Sequence, residues 1–535
     1  MAKTLKEAGL HPDENGRVEH SSDNKRAMQQ LLDTTGPGFC LAKWTQVTMH
    51  LGVGLTHSCH HPATHKIPLE EIAANPGALH NTTFKKARRK EMLNGERPKE
   101  CDYCWRIEDG NKGGEDGNYS DRLYKSIDTF SVSDHDDISK LTGDENIYPR
   151  YVEVSFSNVC NFKCTYCGPT FSSKWAEEVK EHGSYQLEDQ YAYPGTVDVQ
   201  IKNREDNPYT DAFWKWWPEA MKHMHTFRIT GGEPLLSKHT FKVIDFLLAN
   251  PNPDLEFAIN TNAGVPRKVW EDFVNKINKL EETNSIKKFT LFVSAEATGT
   301  QCEYIREGMV WDEFTSNVKY FLDNTKDMRV TFMSAFNLLS APTFKDFLKY
   351  VLSLKKDYSS SNLQKWMKEN TNITPNAIET LPSRHPNNIS TRNNFSRVGV
   401  DIPFVRHPEF LDARILTKDV VEKYLVPAMD FMVQNRVHEG WNDCLGFEVQ
   451  EIDKFKRILF DLMMQLNYAN KDETKANRIH AQSRRRFVGF VKEIRVRRGK
   501  DFLKTFPELE HFLNICKLET RKRDKDETTI KVENG

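Results

Sequence analysis

The sequence has no apolar run near the roughly 18 residues a membrane-spanning helix needs. Its first residues, "MAKTLKEAGLHPDENGRVEH", lack the apolar core of a secretory signal. No excess of either charge is present: 75 Lys and Arg stand against 76 Asp and Glu, a formal net charge of −1. That balance excludes a global attraction to nucleic acid or to a membrane surface, so any such partner needs a local patch. There is no internal sequence repeat. What remains is an expected cytoplasmic, reducing setting and a soluble globular composition, with 38% hydrophobic and 28% charged residues in 535. Ten cysteines in that setting point to metal binding or catalysis rather than to a disulfide scaffold.

From residue 150 onward, short apolar runs alternate with amphipathic stretches. "YVEVSFS" (151–157), "TFRIT" (226–230), "LEFAIN" (255–260), "FTLFVSA" (289–295) and "VTFMSAF" (330–336) predict strands, and "LDARIL" (411–416) is a weaker sixth. "KHTFKVIDFLLAN", "PRKVWEDFVNKINKL", "WDEFTSNVKYFLDN" and "TFKDFLKYVLSL" predict the helices between them. The alternation predicts an α/β fold built of βα units on a parallel sheet. About six strands fit a partial (β/α)6 TIM-like barrel over 150–440, with insertions at 170–222 and 356–410. Residues 1–35 are polar and expected to be flexible, 36–115 form a cysteine-bearing module, and 116–149 are a linker. Residues 441–518 are a mostly helical C-terminal region, and 519–535 are a charged tail expected to be disordered.

Directly after the first predicted strand comes "CNFKCTYC", which places Cys160, Cys164 and Cys167 in a C-x3-C-x2-C spacing. Three thiolates leave one position open on a four-iron cluster, or on a catalytic zinc. The position after a strand, and the aromatic Tyr166 before the third cysteine, favour iron. The stretch resembles the C-x3-C-x-aromatic-C signature of the radical S-adenosylmethionine (SAM) superfamily. The resemblance implies a 4Fe–4S cluster on Cys160, Cys164 and Cys167 whose fourth iron is chelated by SAM. It also implies reductive cleavage of SAM to a 5′-deoxyadenosyl radical, which abstracts hydrogen from a substrate.

The ends of the other predicted strands carry compatible groups. After the second strand, "GGEP" supplies Gly231, Gly232, Glu233 and Pro234; the glycines let backbone approach a ligand, and the carboxylate can accept from an ammonium. It resembles the superfamily's GGE motif, which binds the SAM amino group. After the third come Asn260 and Asn262 as polar rim groups, with turn formation the competing role. After the fourth, Ser294 and Glu296 are candidates for the SAM ribose or carboxylate and Arg306 for the carboxylate; a local salt bridge is the alternative. Asn337 follows the fifth strand as a weak candidate.

A second set of cysteines reads C40-x13-G54-x4-C59 and, about 40 residues on, C101-x2-C104. Four thiolates make a closed site for an Fe–S cluster or zinc, and Gly54 permits a tight hairpin between the flanking cysteines. His57, His60, His61 and His65 crowd Cys59 and keep a mixed Cys/His zinc site open. The pattern resembles the twitch module, the shorter relative of the SPASM module of radical SAM enzymes, here placed N-terminal to the barrel. The resemblance implies an auxiliary Fe–S cluster. Cys302, Cys444 and Cys516 read as small buried hydrophobes.

"SRRRFVGFVKEIRVRRGK" (483–500) predicts a helix with one packed and one basic face; solvation or contact with an acidic peptide or phosphate backbone would both suit it. "FWKWWPEAM" (213–221) reads as a packing anchor. The expected function is that of a radical SAM enzyme acting on a peptide or protein side chain and fed by an external one-electron reductant, with no membrane partner. A nucleotide, sugar or nucleic acid substrate is the less favoured alternative. A non-catalytic Fe–S or zinc protein is the second.

Overall fold

The computed structural model describes residues 7–11, 18, 20–110, 119–128, 132–192, 201, 205–359, 396–437, 445–469 and 476–533. Most of the 356–410 insertion, parts of the 170–222 insertion and of the N-terminal 35 residues, much of the Gly/Asp stretch near 115, and Cys444 lie outside them. The chain is an α/β protein with a large, mostly parallel sheet and a helical C-terminal region. Among the described residues no strand pairing closes that sheet into a barrel. No described helix is long and apolar enough to cross a membrane.

Two compact units divide the chain. The first takes in Met1–Ser157, Gln200–Ala258 and Leu280–Lys288. Its strands lie in the order His65–Lys66, Leu55–His57, Gln46–His50, Tyr151–Ser155, Thr226–Thr230. The first two pairings are antiparallel and the next two parallel. Val152 and Val154 are fully buried and alternate with the half-buried Tyr151, Glu153 and Ser155, the period-2 pattern of a strand. The hairpin between Cys40 and Cys59 forms as Gly54 predicts. Gly54 sits at φ +64° and a Cβ there would fall 2.1 Å from the Tyr209 ring. Strand Gln46–His50 pairs in register with Tyr151–Ser155, so the N-terminal cysteine segment extends the same sheet as the first predicted barrel strand.

Helix Pro208–Ala220 starts at Asn207, whose side chain accepts from the Tyr209 and Thr210 amides. It buries Phe213, Trp216 and Trp217, with the Trp217 ring 4.4 Å from Phe227; the aromatic run is a packing anchor. A second core joins Phe39, Leu41, Trp44, Met92, Trp105 and Leu123. Two segments that look unstructured from composition contribute to it. Helix Ser22–Asp33 buries Met28, Leu31 and Leu32, and helix Asp121–Asp128, inside the expected linker, buries Arg122, Leu123 and Ile127.

The second unit comprises Asn158–Val199, Ile259–Lys279 and Phe289–Gly535. Here Thr290–Ser294 pair parallel with Arg329–Met333, which pair parallel with Val398–Asp401. The expected sixth strand at 411–416 is not one. Those residues form the short 3-10 turns Glu409–Leu411 and Ala413–Ile415. The Asp412 side chain accepts from the Arg414 amide at 2.8 Å and so starts the second turn, the usual behaviour of Asp ahead of a helical turn. The strand role falls to "VGVD" instead, where Gly399 allows close approach of the Arg329 guanidinium. Helices Arg267–Glu282, Trp311–Asp323 and Phe344–Asp357 form where their periodicity predicts. The backbone of helix Glu510–Glu533 continues into the charged tail. Buried Phe512, Leu513 and Cys516 seed it, and Glu, Lys and Arg are good helix formers.

Candidate functional site

Cys160, Cys164 and Cys167 lie on one loop of the second unit, half-buried. The Cys160 amide donates to Ser173 Oγ at 3.1 Å, and Ser172 Oγ donates to the Phe162 carbonyl at 2.6 Å. Lys163–Cys164 pairs antiparallel with Arg306–Glu307. The Trp175 indole donates to the Cys164 carbonyl at 2.8 Å, and the Cys167 amide bonds back to the same carbonyl at 3.0 Å, closing a tight turn. Burial pushes the Cys167 thiol well up, and the neighbouring Cys164 and Cys160 push it further. Burial also raises the Cys164 thiol, against the pull of Arg306.

Several sequence-predicted residues gather at this loop. Asn262 Nδ2 reaches Cys160 Sγ at 3.9 Å and Asn161 Oδ1 at 2.8 Å, while its own Oδ1 accepts from the Gly264 amide. Arg306 donates from Nε and Nη2 to Glu296 Oε2 at 3.0 and 2.7 Å, and from Nη1 to Cys164 Sγ at 3.7 Å. Its guanidinium lies 5.5 Å from the centroid of the Tyr166 ring, whose hydroxyl also donates to Glu296 Oε2. Glu296 is fully buried, and its other oxygen, Oε1, has no hydrogen-bond partner among the described residues. Burial raises its carboxyl, opposed by Arg306. Thus Arg306 and Glu296 pair with each other. Ser294 is half-buried at the end of its strand and Asn260 half-buried within Asn252–Thr261. Asn337 is buried and caps the turn Leu338–Ser340.

The glycine turn belongs to the first unit. Gly231 has φ +118°, and a Cβ there would fall 2.5 Å from Ser155 Oγ and 2.8 Å from the Ser157 carbonyl. The Gly232 amide donates to that same carbonyl at 3.2 Å. Glu233 is buried, accepts from the Leu235 amide at 3.0 Å and starts the turn Pro234–Leu236.

Also in the first unit, Cys40, Cys59, Cys101 and Cys104 line one pocket, together with Lys43, His61 and Arg122. Cys101 and Cys104 sit one turn apart at the start of helix Asp102–Gly110. Burial pushes the Cys40 thiol to about 12 and Cys101 to about 11, with Lys43 opposing both, and raises Cys59 and Cys104 as well. Of the four histidines near Cys59, His61 is the one lining the cavity; it pairs with Asp121 and stacks on Tyr103 at 3.7 Å. Lys43 pairs with Glu100, and Arg122 is tied to Glu108 and Asp33. Among the described residues no three His, Cys, Asp or Glu side chains stand close enough to hold a single metal ion as they are. Asp121 and Arg122, from the expected linker, carried no spacing signal in the sequence.

The basic stretch of helix Ala476–Arg498 is spent inside the second unit. Arg485 pairs with Glu188, Arg486 with Asp189 and Glu409, Arg497 with Glu493, and Arg498 with Glu178. Arg498 also donates to the Lys163 carbonyl at 2.7 Å, beside Cys164, and lies over Trp175. Sequence reasoning missed this support for the cysteine loop, because Glu178 and Arg498 stand 320 positions apart.

Comparison with known proteins adds one finding at this point. Over 122 residues the chain is 29% identical to a GTP 3′,8-cyclase of Campylobacter lari, a stretch covering 23% of this chain and 30% of that relative. No family model and no solved structure matches.

Proposed function

We propose that the protein is a radical SAM enzyme with an auxiliary Fe–S cluster. The observation that carries the reading is the loop of Cys160, Cys164 and Cys167, drawn into a tight turn between Cys164 and Cys167, with Arg306 and Asn262 donating to two of the sulfurs. The similarity to GTP 3′,8-cyclase, a radical SAM enzyme, supports it at the level of the superfamily. The donor set fits a 4Fe–4S cluster: soft thiolates, one short of closure, in a half-buried loop. When bound, cluster and SAM supply the electron and the 5′-deoxyadenosyl radical that takes hydrogen from substrate. The chain's own residues hold and shield that chemistry. The turn at Cys164–Cys167 presents the thiolates, Gly231 and Gly232 admit backbone close to a ligand, and Glu233 is the assigned partner of the SAM amino group. Tyr166, Asn260, Asn262 and Ser294 are the assigned polar surroundings, and the sheet is assigned as a partial barrel.

The four-cysteine pocket supports a twitch-like auxiliary site, because four thiols lining one pocket are a donor set that suits a cluster; zinc is the competing occupant. The twitch resemblance favours a peptide or protein side chain as substrate, with an external one-electron reductant. A nucleotide is the second reading, favoured by the relative's name. Most arginines of the basic helix are paired within the chain, which leaves fewer of them for an acidic peptide or a phosphate backbone. Substrate-dependent deuterium transfer into 5′-deoxyadenosine, tried with labelled peptides and labelled nucleotides, distinguishes the two. Transfer from neither class, in a protein that cleaves SAM, refutes both substrate readings.

A further inference from the structure

We propose that Arg306 sets the reduction potential of the cluster held by Cys160, Cys164 and Cys167, through its hydrogen bond to the Cys164 sulfur, with Glu296 as the opposing charge. The inference rests on the reading of these cysteines as a cluster site.

The geometry is fixed at several points. Arg306 lies directly opposite Cys164 in the antiparallel pairing of Lys163–Cys164 with Arg306–Glu307, so their side chains emerge on one side. Nη1 then stands 3.7 Å from the sulfur, while Nε and Nη2 are anchored on Glu296. All three guanidinium nitrogens thus have partners before any ligand arrives. The pair is buried, with side-chain exposures of 6% for Arg306 and none for Glu296. Buried charges act on each other with little screening by solvent.

Hydrogen bonds to cluster sulfurs and local charge are among the main determinants of Fe–S potentials. Contacts to Cys160 include the Phe162 amide at 3.4 Å and the Asn262 amide group, both neutral. The contact to Cys164 carries a full positive charge. Reduction adds one electron, delivered by an external one-electron donor, and makes the cluster with its thiolates more negative by one charge. A cation at a ligand sulfur stabilises that state. The Glu296 carboxylate, one group further away, destabilises it. Arg306 is therefore a tuning residue and not the partner of the SAM carboxylate.

The test is an EPR-monitored redox titration of the reconstituted full chain without SAM, on the parent and on Arg306→Gln, Arg306→Lys and Glu296→Gln. Arg306→Gln is expected to disfavour reduction at least tenfold, about 59 mV for one electron. Arg306→Lys should recover most of the loss, and Glu296→Gln should shift the potential the opposite way. If Arg306→Gln does not load iron, the upward shift in Glu296→Gln carries the test. An unchanged potential in Arg306→Gln, with a tenfold loss of SAM affinity, overturns the proposal in favour of a SAM ligand. Shifts of the same sign in Arg306→Gln and Glu296→Gln also overturn it. A parent that binds no iron refutes the cluster reading itself, before any variant is compared.

Discussion

Replacing Glu178 by Gln probes how the C-terminal helix holds the cysteine loop. Glu178 accepts from Arg498 Nε and Nη2, each at 3.0 Å, from Lys163 Nζ at 2.7 Å and from the Tyr185 hydroxyl. The Arg498 and Glu178 side chains are 1% and 3% exposed. A glutamine presents an amide donor at an oxygen position that accepts from two donors, so the contacts there are disrupted and Arg498 keeps a buried charge without its counter-ion. Breaking a buried ion pair from one side costs about 3–5 kcal/mol. A second route gives a similar size. The Glu178 carboxyl is held down at about 2 from 4.5, against the opposing effect of burial, by Arg498 first and then by Lys163 and Tyr185. A depression of that size corresponds to about 3 kcal/mol. Because the folded value is the lower one, this stability is fully present above about pH 4.5 and is lost as pH falls towards about 2. Urea unfolding followed by near-UV circular dichroism should show a gap of about 3–5 kcal/mol between parent and Glu178→Gln at pH 7, narrowing below pH 4.5. A gap under about 1 kcal/mol at pH 7, the range of an exposed pair, or one independent of pH from 7 to 3, would refute the reasoning.

Other expectations follow from single residues. Gly54→Ala meets the Tyr209 ring and a positive φ and should destabilise by more than the about 1–3 kcal/mol of backbone strain alone. Gly95→Ala, at φ +80° with nothing within 4 Å among the described residues, should cost only that strain; equal thermal shifts would contradict the clash. Cys101→Ala with Cys104→Ala should halve iron content from about eight to about four per chain while the other cluster's EPR signal persists. Unchanged iron would show that the cavity holds no cluster.

The sequence made the five main strands legible because each is a short apolar run bounded by polar residues. The strand at "VGVD" (398–401) is hidden because a glycine breaks an already short apolar run, and "LDARIL" imitates a strand because its apolar residues conceal the helix-starting role of Asp412. The two cysteine sets stood out by spacing and resemblance, and the structure places Cys160, Cys164 and Cys167 on one loop and Cys40, Cys59, Cys101 and Cys104 around one pocket. Their supports did not stand out. Asp121, Arg122, Glu178 and Arg498 act across long separations, and their types are ordinary on any surface. Arg306 was visible as a candidate, but its partners, Glu296 and the Cys164 sulfur, emerge only from the pairing of Lys163–Cys164 with Arg306–Glu307.

The most direct measurement is release of 5′-deoxyadenosine from SAM by the anaerobically reconstituted chain under a strong one-electron reductant. The account predicts release by the parent and none after Cys160, Cys164 and Cys167 are changed to Ala. Absence of release from a parent with intact clusters, or persistence of release in the triple variant, would contradict it.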